Sequence, residues 1–111
     1  MMAQDEQTFR RIVIDGRGIR KKPGWLFGKG FDLRWDDIKG WSVVSAALGT
    51  STIDRILELH HNRGIEFVRS GDTGSGFDAV VSLVEERLPQ KRVESIMQQM
   101  SRMREQESRR Q

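Results

Sequence analysis

Residues 18–38 read GIRKKPGWLFGKGFDLRWDDI, and this stretch decides the fold that the sequence predicts. Its first half places basic residues on both sides of the triplet Trp25-Leu26-Phe27. Its second half alternates between apolar and charged residues from Phe31 to Trp35, a period of two that is typical of a half-buried strand. Asp36-Asp37 then break the strand at a corner. We therefore predict a basic hairpin loop that leads into a strand of a small, β-rich binding domain.

Short strand-like segments separated by turn residues, as in β-hairpins, also lie on both sides of this stretch. Asp15-Gly16 is a strong turn signal, because the turn needs a positive φ and glycine adopts one freely. Further turn residues separate the other alternating segments. We predict six strands, over residues 9–14, 18–22, 31–35, 41–48, 53–61 and 65–69.

The apolar period becomes helical after residue 70. A first stripe consists of Phe77, Val80, Val81, Val84 and Leu88. This spacing predicts an amphipathic helix, with Ser75 and Asp78 as a loose capping pattern at its start. The expected fold class is therefore α+β. It is a strongly bent antiparallel sheet, or partly open barrel, of about six strands over residues 8–88, capped by a C-terminal helix.

Residues 89–111 form a basic helical tail in this prediction. Its apolar side consists of Val93, Ile96, Met97, Met100 and Met103. Such a stripe can form a helix–helix seam with a second copy or another protein, or it can lie on an anionic membrane with its arginines outward. A solvated extension beyond Gln99 is the remaining interpretation.

The charge balance separates the tail from the body. The chain has a net charge of +3, yet residues 1–89 carry 13 basic and 13 acidic residues. The whole excess therefore lies in the tail. Within the neutral body, Arg17 to Lys29 contains a block of cations with no acidic residue between them.

Composition limits the class of protein. With 111 residues, there is room for one domain. The longest uncharged run, Gly40 to Ile53, is shorter than the roughly 20 apolar residues of a membrane span. The N-terminus has no apolar signal-peptide core, and the chain has no cysteine for disulfide or thiolate chemistry. We predict a cytoplasmic protein, with a peripheral position at the inner membrane face as an option.

Three motifs in this order resemble bacterial pleckstrin-homology-like domains. They are Gly18-Ile19-Arg20, then Gly24-Trp-Leu-Phe-Gly-Lys29, then Leu33-x-Trp35-x-x-Ile38. The resemblance covers residues 8–88. It implies a bent barrel of seven strands capped by the C-terminal helix, and non-catalytic binding to lipid headgroups, peptides or proteins. The chain departs from the family in its tight first hairpin and in a strand count of six, which would leave an open edge for pairing or dimerisation.

The best candidate ligand site is the basic block with its aromatic neighbour. It comprises Arg17, Arg20, Lys21, Lys22, Trp25 and Lys29. Cations near a surface attract anionic lipid by about 1 kcal/mol each, and tryptophan suits the headgroup boundary. In the alternative interpretation, the Trp-Leu-Phe triplet folds back over a barrel end and the cations are solvated.

Other candidate sites are weaker. His60 and His61 are adjacent in a strand and point to opposite faces, so we expect no metal site. The spacing of Gly24 to Gly30 does not match a phosphate-binding loop, and no serine lies in a nucleophile elbow. We predict no enzyme activity, no cofactor and no small-molecule substrate. Trp35 and Trp41 are expected in the core, and Arg10-Arg11 on solvated strand faces.

The sequence therefore predicts a binding module. It engages a partner protein or an anionic membrane through the basic loop, and it self-associates through the tail or an open sheet edge. A pure protein–protein scaffold is the first alternative. Nucleic-acid binding is less favoured, because the body is neutral and few aromatic residues alternate with basic ones.

Overall fold

Two antiparallel sheets and a helix make up the body of the domain in the computed structural model, which describes residues 6–24, 28–48, 52–89 and 91–109. The first sheet has four strands, β1 (Gln7–Phe9), β2 (Ile12–Ile14), β3 (Gly18–Lys21) and β4 (Phe31–Arg34), in that order. The second has three, β5 (Ile38–Leu48), β6 (Thr52–His61) and β7 (Gly64–Arg69). The helices are α1 (Ser70–Thr73), α2 (Phe77–Arg87) and α3 (Ile96–Arg109), with 3-10 turns at Trp35–Asp37 and Gly74–Gly76. The α+β class is confirmed, but the described strands do not close into a barrel.

The first predicted strand, residues 9–14, is in fact two strands. Phe9 pairs with Ile12, so Arg10 and Arg11 form a two-residue turn between β1 and β2. Arg10 has a φ of 59°, which residues other than glycine seldom adopt. The prediction of six strands is therefore wrong, and the described part of the chain has seven. A tight turn without Gly, Asn or Asp gives no signal in the sequence.

The Asp15-Gly16 hairpin lies where the sequence predicts it. The Asp15 carboxylate accepts hydrogen bonds from the backbone N–H groups of Arg17 (2.8 Å) and Gly18 (3.2 Å). Gly18 then starts β3 so close to β4 that a Cβ there would lie 1.9 Å from the Leu33 carbonyl oxygen. The turn and the glycine together fix the register of β2, β3 and β4.

One apolar core lies between the two sheets and α2. Its buried members are Ile12, Ile14, Ile19, Leu33, Trp35, Ile38, Trp41, Leu57, Leu59, Val68, Phe77, Val80, Val84 and Leu88. The predicted helical stripe is confirmed, with Val81 partly buried against this core. The predicted burial of Trp35 and Trp41 is also confirmed, and Trp41 is 1% exposed.

The segment before α2 is more ordered than predicted. Residues 70–76 contain α1 and a 3-10 turn, and the Asp72 side chain accepts a hydrogen bond from the Arg69 N–H (3.0 Å). The residue that precedes α2 is Gly76, and no side chain caps the helix there. The expected capping pattern of Ser75 and Asp78 is therefore wrong. Asp78 instead forms an ion pair with Arg55.

The tail does not begin as a helix. Residues 91–95, here called the docking segment, are extended, and a single parallel β-bridge joins Arg92 to Trp41 on the outer edge of β5. The backbone N–H of Trp41 donates to the Lys91 carbonyl (2.9 Å), and the backbone carbonyl of Trp41 accepts a hydrogen bond from the Val93 N–H (2.8 Å). Val93 also lies against Gly40, where a Cβ would come within 2.7 Å of it. The prediction of Val93 on a helical stripe is therefore wrong, because pairing with β5 keeps this segment extended.

Candidate functional site

The predicted basic block is divided by the geometry of β3. Arg17 precedes this strand, and Lys22 follows it. Five residues of extended chain separate them by about 16 Å. Arg20 and Lys21 point to opposite faces, since successive strand residues alternate. The structure therefore does not bring the block together as one surface.

The Arg17 end of β3 has a balanced charge. It borders a groove lined by Asp15, Arg17, Gly18, Arg20, Asp32, Arg34 and Asp37, which is three arginines against three aspartates. The Arg20 guanidinium lies 3.7 Å from the Asp15 carboxylate and 3.8 Å from that of Glu6. A groove with no formal net charge offers an anion little attraction.

Lys21 is a structural residue. Its ammonium lies 3.0 Å from the Asp72 carboxylate and 3.4 Å from the Phe67 carbonyl oxygen, and its side chain is 14% exposed. Asp72 also accepts a hydrogen bond from the Arg11 guanidinium at 3.2 Å. This buried carboxylate therefore links the β1–β2 turn and β3 of the first sheet to the end of β7.

The opposite end of β3 is positively charged. Arg11 donates two guanidinium hydrogen bonds to the Lys22 carbonyl (2.9 and 3.2 Å), and the Lys22 N–H donates to the Arg11 carbonyl (2.8 Å). The Gly24 N–H donates to the Gly28 carbonyl (3.1 Å), and this hydrogen bond holds the two ends of the loop together. The side chains of Lys22 and Lys29 remain exposed.

Arg10 joins the same end of the molecule. Its guanidinium donates to the Gly71 carbonyl (3.3 Å), and the residue is exposed. We call the exposed surface formed by Arg10, Lys22 and Lys29, with Arg11 beneath it, the basic end. Among the described residues, Asp72 is the carboxylate that pairs at this end, and it is bound by Lys21 and Arg11. The predicted anchor Trp25 lies outside the described residues.

The interpretation of Arg10-Arg11 as solvated strand faces is wrong. Both residues lie in the β1–β2 turn, and Arg11 forms an ion pair and fixes the loop. No residue in this turn is a usual turn former, so the sequence carried no signal for it.

A second site centres on Glu58, for which the sequence alone gives no signal. This β6 carboxylate is 0% exposed. Among its hydrogen-bond donors are Ser42 Oγ (3.1 Å), Ser95 Oγ (2.8 Å), the Ile96 N–H (2.9 Å) and His60 Nε2 (3.1 Å). Burial raises the pKa of the Glu58 carboxyl, but these hydrogen bonds together outweigh burial and hold the pKa below its ordinary value.

Glu58 acts as a cap for α3 supplied by another element. The first N–H groups of a helix have no partner within the helix, and a negative charge at this end is favourable. The Ile96 N–H, which starts α3, donates to Glu58 instead. The carboxylate therefore fixes the point at which the docking segment ends and α3 begins.

The histidines are occupied by neighbouring carboxylates. His60 contacts Glu58, and His61 Nε2 lies 3.1 Å from the Glu66 carboxylate. In the described ranges, no three His, Cys, Asp or Glu side chains are grouped so that they could hold a metal ion.

The tail residues differ in their surroundings. Met100 and Met103 on α3 are 52% and 62% exposed, and Ile96 is half-buried. The side chain of Met97 lies outside the described part of the chain. Arg102 on α3 forms an ion pair with Glu94 of the docking segment. The described part of α3 thus carries two exposed apolar side chains among charged ones.

No described helix combines the length and the apolar character needed to cross a bilayer. Comparison with protein-family models, with curated proteins and with solved structures gave no match.

Proposed function

We propose that this chain is a non-catalytic, pleckstrin-homology-like binding module that attaches to an anionic membrane surface through its basic end. Seven described strands followed by a helix packed into the core support this assignment, because the family resemblance implies both features. The tight Asp15-Gly16 hairpin is still a departure from the family. The proposal places the protein in the cytoplasm, peripheral to the inner membrane face.

The observation that carries the proposal is the uncompensated charge at the basic end. The local carboxylate, Asp72, is bound by Lys21 and Arg11, whereas Arg10, Lys22 and Lys29 are exposed. At about 1 kcal/mol per cation near an anionic leaflet, three cations supply about 3 kcal/mol. That energy corresponds to roughly a 100-fold preference for anionic over neutral membranes.

Hydrogen bonds hold the backbone at the two flanks of the loop that carries Lys22 and Lys29. The hydrogen bonds between Arg11 and Lys22 and between Gly24 and Gly28 fix both flanks of the loop. Because the loop flanks are already ordered, they lose little conformational entropy on binding, and this loss does not reduce the affinity. We propose that Trp25, between these flanks, inserts at the headgroup boundary as an anchor.

Sedimentation with vesicles tests the proposal. Full-length protein is mixed with phosphatidylcholine vesicles that contain or lack phosphatidylserine. We expect binding to the anionic vesicles and its reduction to the neutral level by the double substitution Lys22→Glu/Lys29→Glu. A matched control, Arg17→Glu/Arg34→Glu, reverses two exposed charges about 16 Å away, beyond a Debye length of about 8 Å. The control should retain binding within about threefold.

Two results would contradict attachment through the basic end. One is binding that ignores lipid charge, and the other is an equal loss in both double variants. No binding to either kind of vesicle would contradict membrane attachment itself and would favour the second candidate function, a protein–protein scaffold. The exposed Met100 and Met103 support that candidate, since methionine adapts to varied apolar partners. We further propose that the chain self-associates through α3 or through an open sheet edge.

A further inference from the structure

The outer edge of β5 is paired along part of its length. In the order β5-β6-β7, this strand is an edge of its sheet. Trp41 uses its outward N–H and C=O groups to bind the docking segment. Because outward groups recur at every second residue, Val43 and Ser45 direct theirs to the same side. Among the described residues, no backbone group pairs with Val43 or Ser45 on this side, and Ser45 is exposed.

This part of β5 lacks the features that protect edge strands. Proteins block sheet edges by keeping them short or by placing charges or proline on them. Residues 42–48 read SVVSAAL, within the longest uncharged run of the chain. The other edges in the described sheets are protected: β1 has three residues, β4 carries Asp32 and Arg34, and β7 carries Glu66 and Arg69.

We propose that a second copy of this chain pairs with this edge, so that two β5 strands run antiparallel about a two-fold axis through Ser45. The two three-stranded sheets would then form one continuous sheet. The length fits, because an axis through Ser45 pairs residues 43–47 with residues 47–43 of the second copy, and five residues are an ordinary strand length. The inference rests on the self-association proposed above and assigns it to β5 rather than to α3.

The absence of charge favours a second copy over a different partner. A two-fold axis places each residue near the axis opposite its own counterpart or a close neighbour. Any charge there would face a like charge, which destabilises a strand pair. A strand from another protein imposes no such condition. The uncharged stretch around Ser45 therefore meets a requirement that is specific to self-pairing.

Light scattering on the full chain over a range of concentrations tests this inference. We expect a dimer whose dissociation constant rises about tenfold or more in Ser45→Lys, which places two like charges at the axis. Thr8→Lys, on the exposed β1 edge, introduces the same charge and should leave the dimer intact. Met100→Glu/Met103→Glu on α3 should leave it intact too.

Each alternative outcome has a defined meaning. A monomeric wild type would overturn both this inference and the proposed self-association, but not vesicle binding, which is measured separately. A dimer lost in the α3 variant and kept in Ser45→Lys would overturn the β5 assignment alone. Amide exchange on the unmodified chain tests the same pairing even if the Ser45→Lys variant does not fold. The Val43 and Ser45 amides should exchange more slowly as concentration rises, and concentration-independent rates would overturn the proposal.

Discussion

Replacement of Glu58 tests how the tail is held to the body. Glu58→Ala removes a buried carboxylate that accepts hydrogen bonds from two serine hydroxyls, His60 and the Ile96 N–H. Donors left buried without an acceptor cost about 1–3 kcal/mol each, although hydroxyl groups can partly reorient. Loss of one partner from a buried charged network costs about 3–5 kcal/mol. We therefore expect the free energy of unfolding to fall by about 3–5 kcal/mol.

Glu58→Gln separates the charge from the hydrogen bonds. The amide oxygen can still accept at the Oε1 position, and the amide nitrogen can donate to Ser95, whose hydroxyl can turn to accept. Only the charge assistance is lost, and charge-assisted hydrogen bonds are roughly twice as strong as neutral ones. The expected cost is about 1–2 kcal/mol, measured by urea denaturation of the full chain at pH 7.

The pH dependence follows from the lowered pKa of Glu58. Its pKa in the folded state lies below the unfolded value of about 4.3, so the unfolded chain binds more protons between the two values. The stabilisation is therefore complete above the unfolded pKa and is lost as pH falls through the folded pKa. The stability gap between wild type and Glu58→Gln should shrink as pH drops below about 4.3.

Three results would refute this account of Glu58. They are a Glu58→Ala protein within about 0.5 kcal/mol of wild type, equal costs for the alanine and glutamine variants, and a gap that stays constant from pH 7 to pH 3. The first result would mean that α3 begins at Ile96 without help from the carboxylate. The second would mean that the amide of the glutamine variant keeps none of these hydrogen bonds, and the third that folding does not lower the pKa of Glu58.

Three further substitutions test the body of the fold. Asp72→Asn should lower the free energy of unfolding by about 2–4 kcal/mol, because it leaves two cations without their carboxylate, whereas Asp78→Asn, on an exposed ion pair, should change it by less than about 0.5 kcal/mol in the same urea titration. Gly18→Ala should cost about 3 kcal/mol or prevent folding, because the new Cβ meets a backbone carbonyl; Gly71→Ala, with no atom within 4 Å of the Cβ, should be neutral or slightly stabilising in thermal melts. Arg10→Gly should raise the free energy of unfolding by about 1 kcal/mol, because it relieves a positive φ. It should also weaken binding to anionic vesicles about fivefold, because it removes one cation. Unchanged stability would show that the turn is unstrained, and unchanged binding would remove Arg10 from the basic end.

Local signals predicted the parts of the fold that local chemistry determines. The Asp15-Gly16 turn follows from the hydrogen-bonding side chain of Asp15 and the freedom of glycine. The α2 stripe follows from helical spacing against one core, and Trp35 and Trp41 follow from their size. Each of these features depends on residues a few positions apart.

Features that depend on distant contacts were not predictable. The docking segment is extended because its backbone pairs with Trp41, about 50 residues earlier. The alternation of residues along β6 places Glu58 on the face that is expected to be exposed to solvent. The docking segment covers that face and buries Glu58. The side chains cannot signal a partner that the fold brings from elsewhere in the chain.

The predicted ligand site shows a different limit. Cations that are adjacent in the sequence suggest one surface, but strand alternation and strand length place them on different faces and at different ends of β3. Lys21 points to Asp72, and Arg17 lies at the far end of β3. Arg10 reaches the basic end through a turn that its residue types do not indicate. The sequence is sufficient to count the cations, but which of them share a surface depends on the arrangement of the strands and turns.

Amide hydrogen exchange on vesicles tests directly whether the basic end contacts the membrane. The full chain is compared with and without phosphatidylserine-containing vesicles, and exchange is resolved by peptide. We expect slower exchange at residues 22–30 and around Arg10, with residues 96–109 unchanged. Slower exchange confined to 96–109, with no change at 22–30, would contradict this expectation and would assign membrane contact to α3.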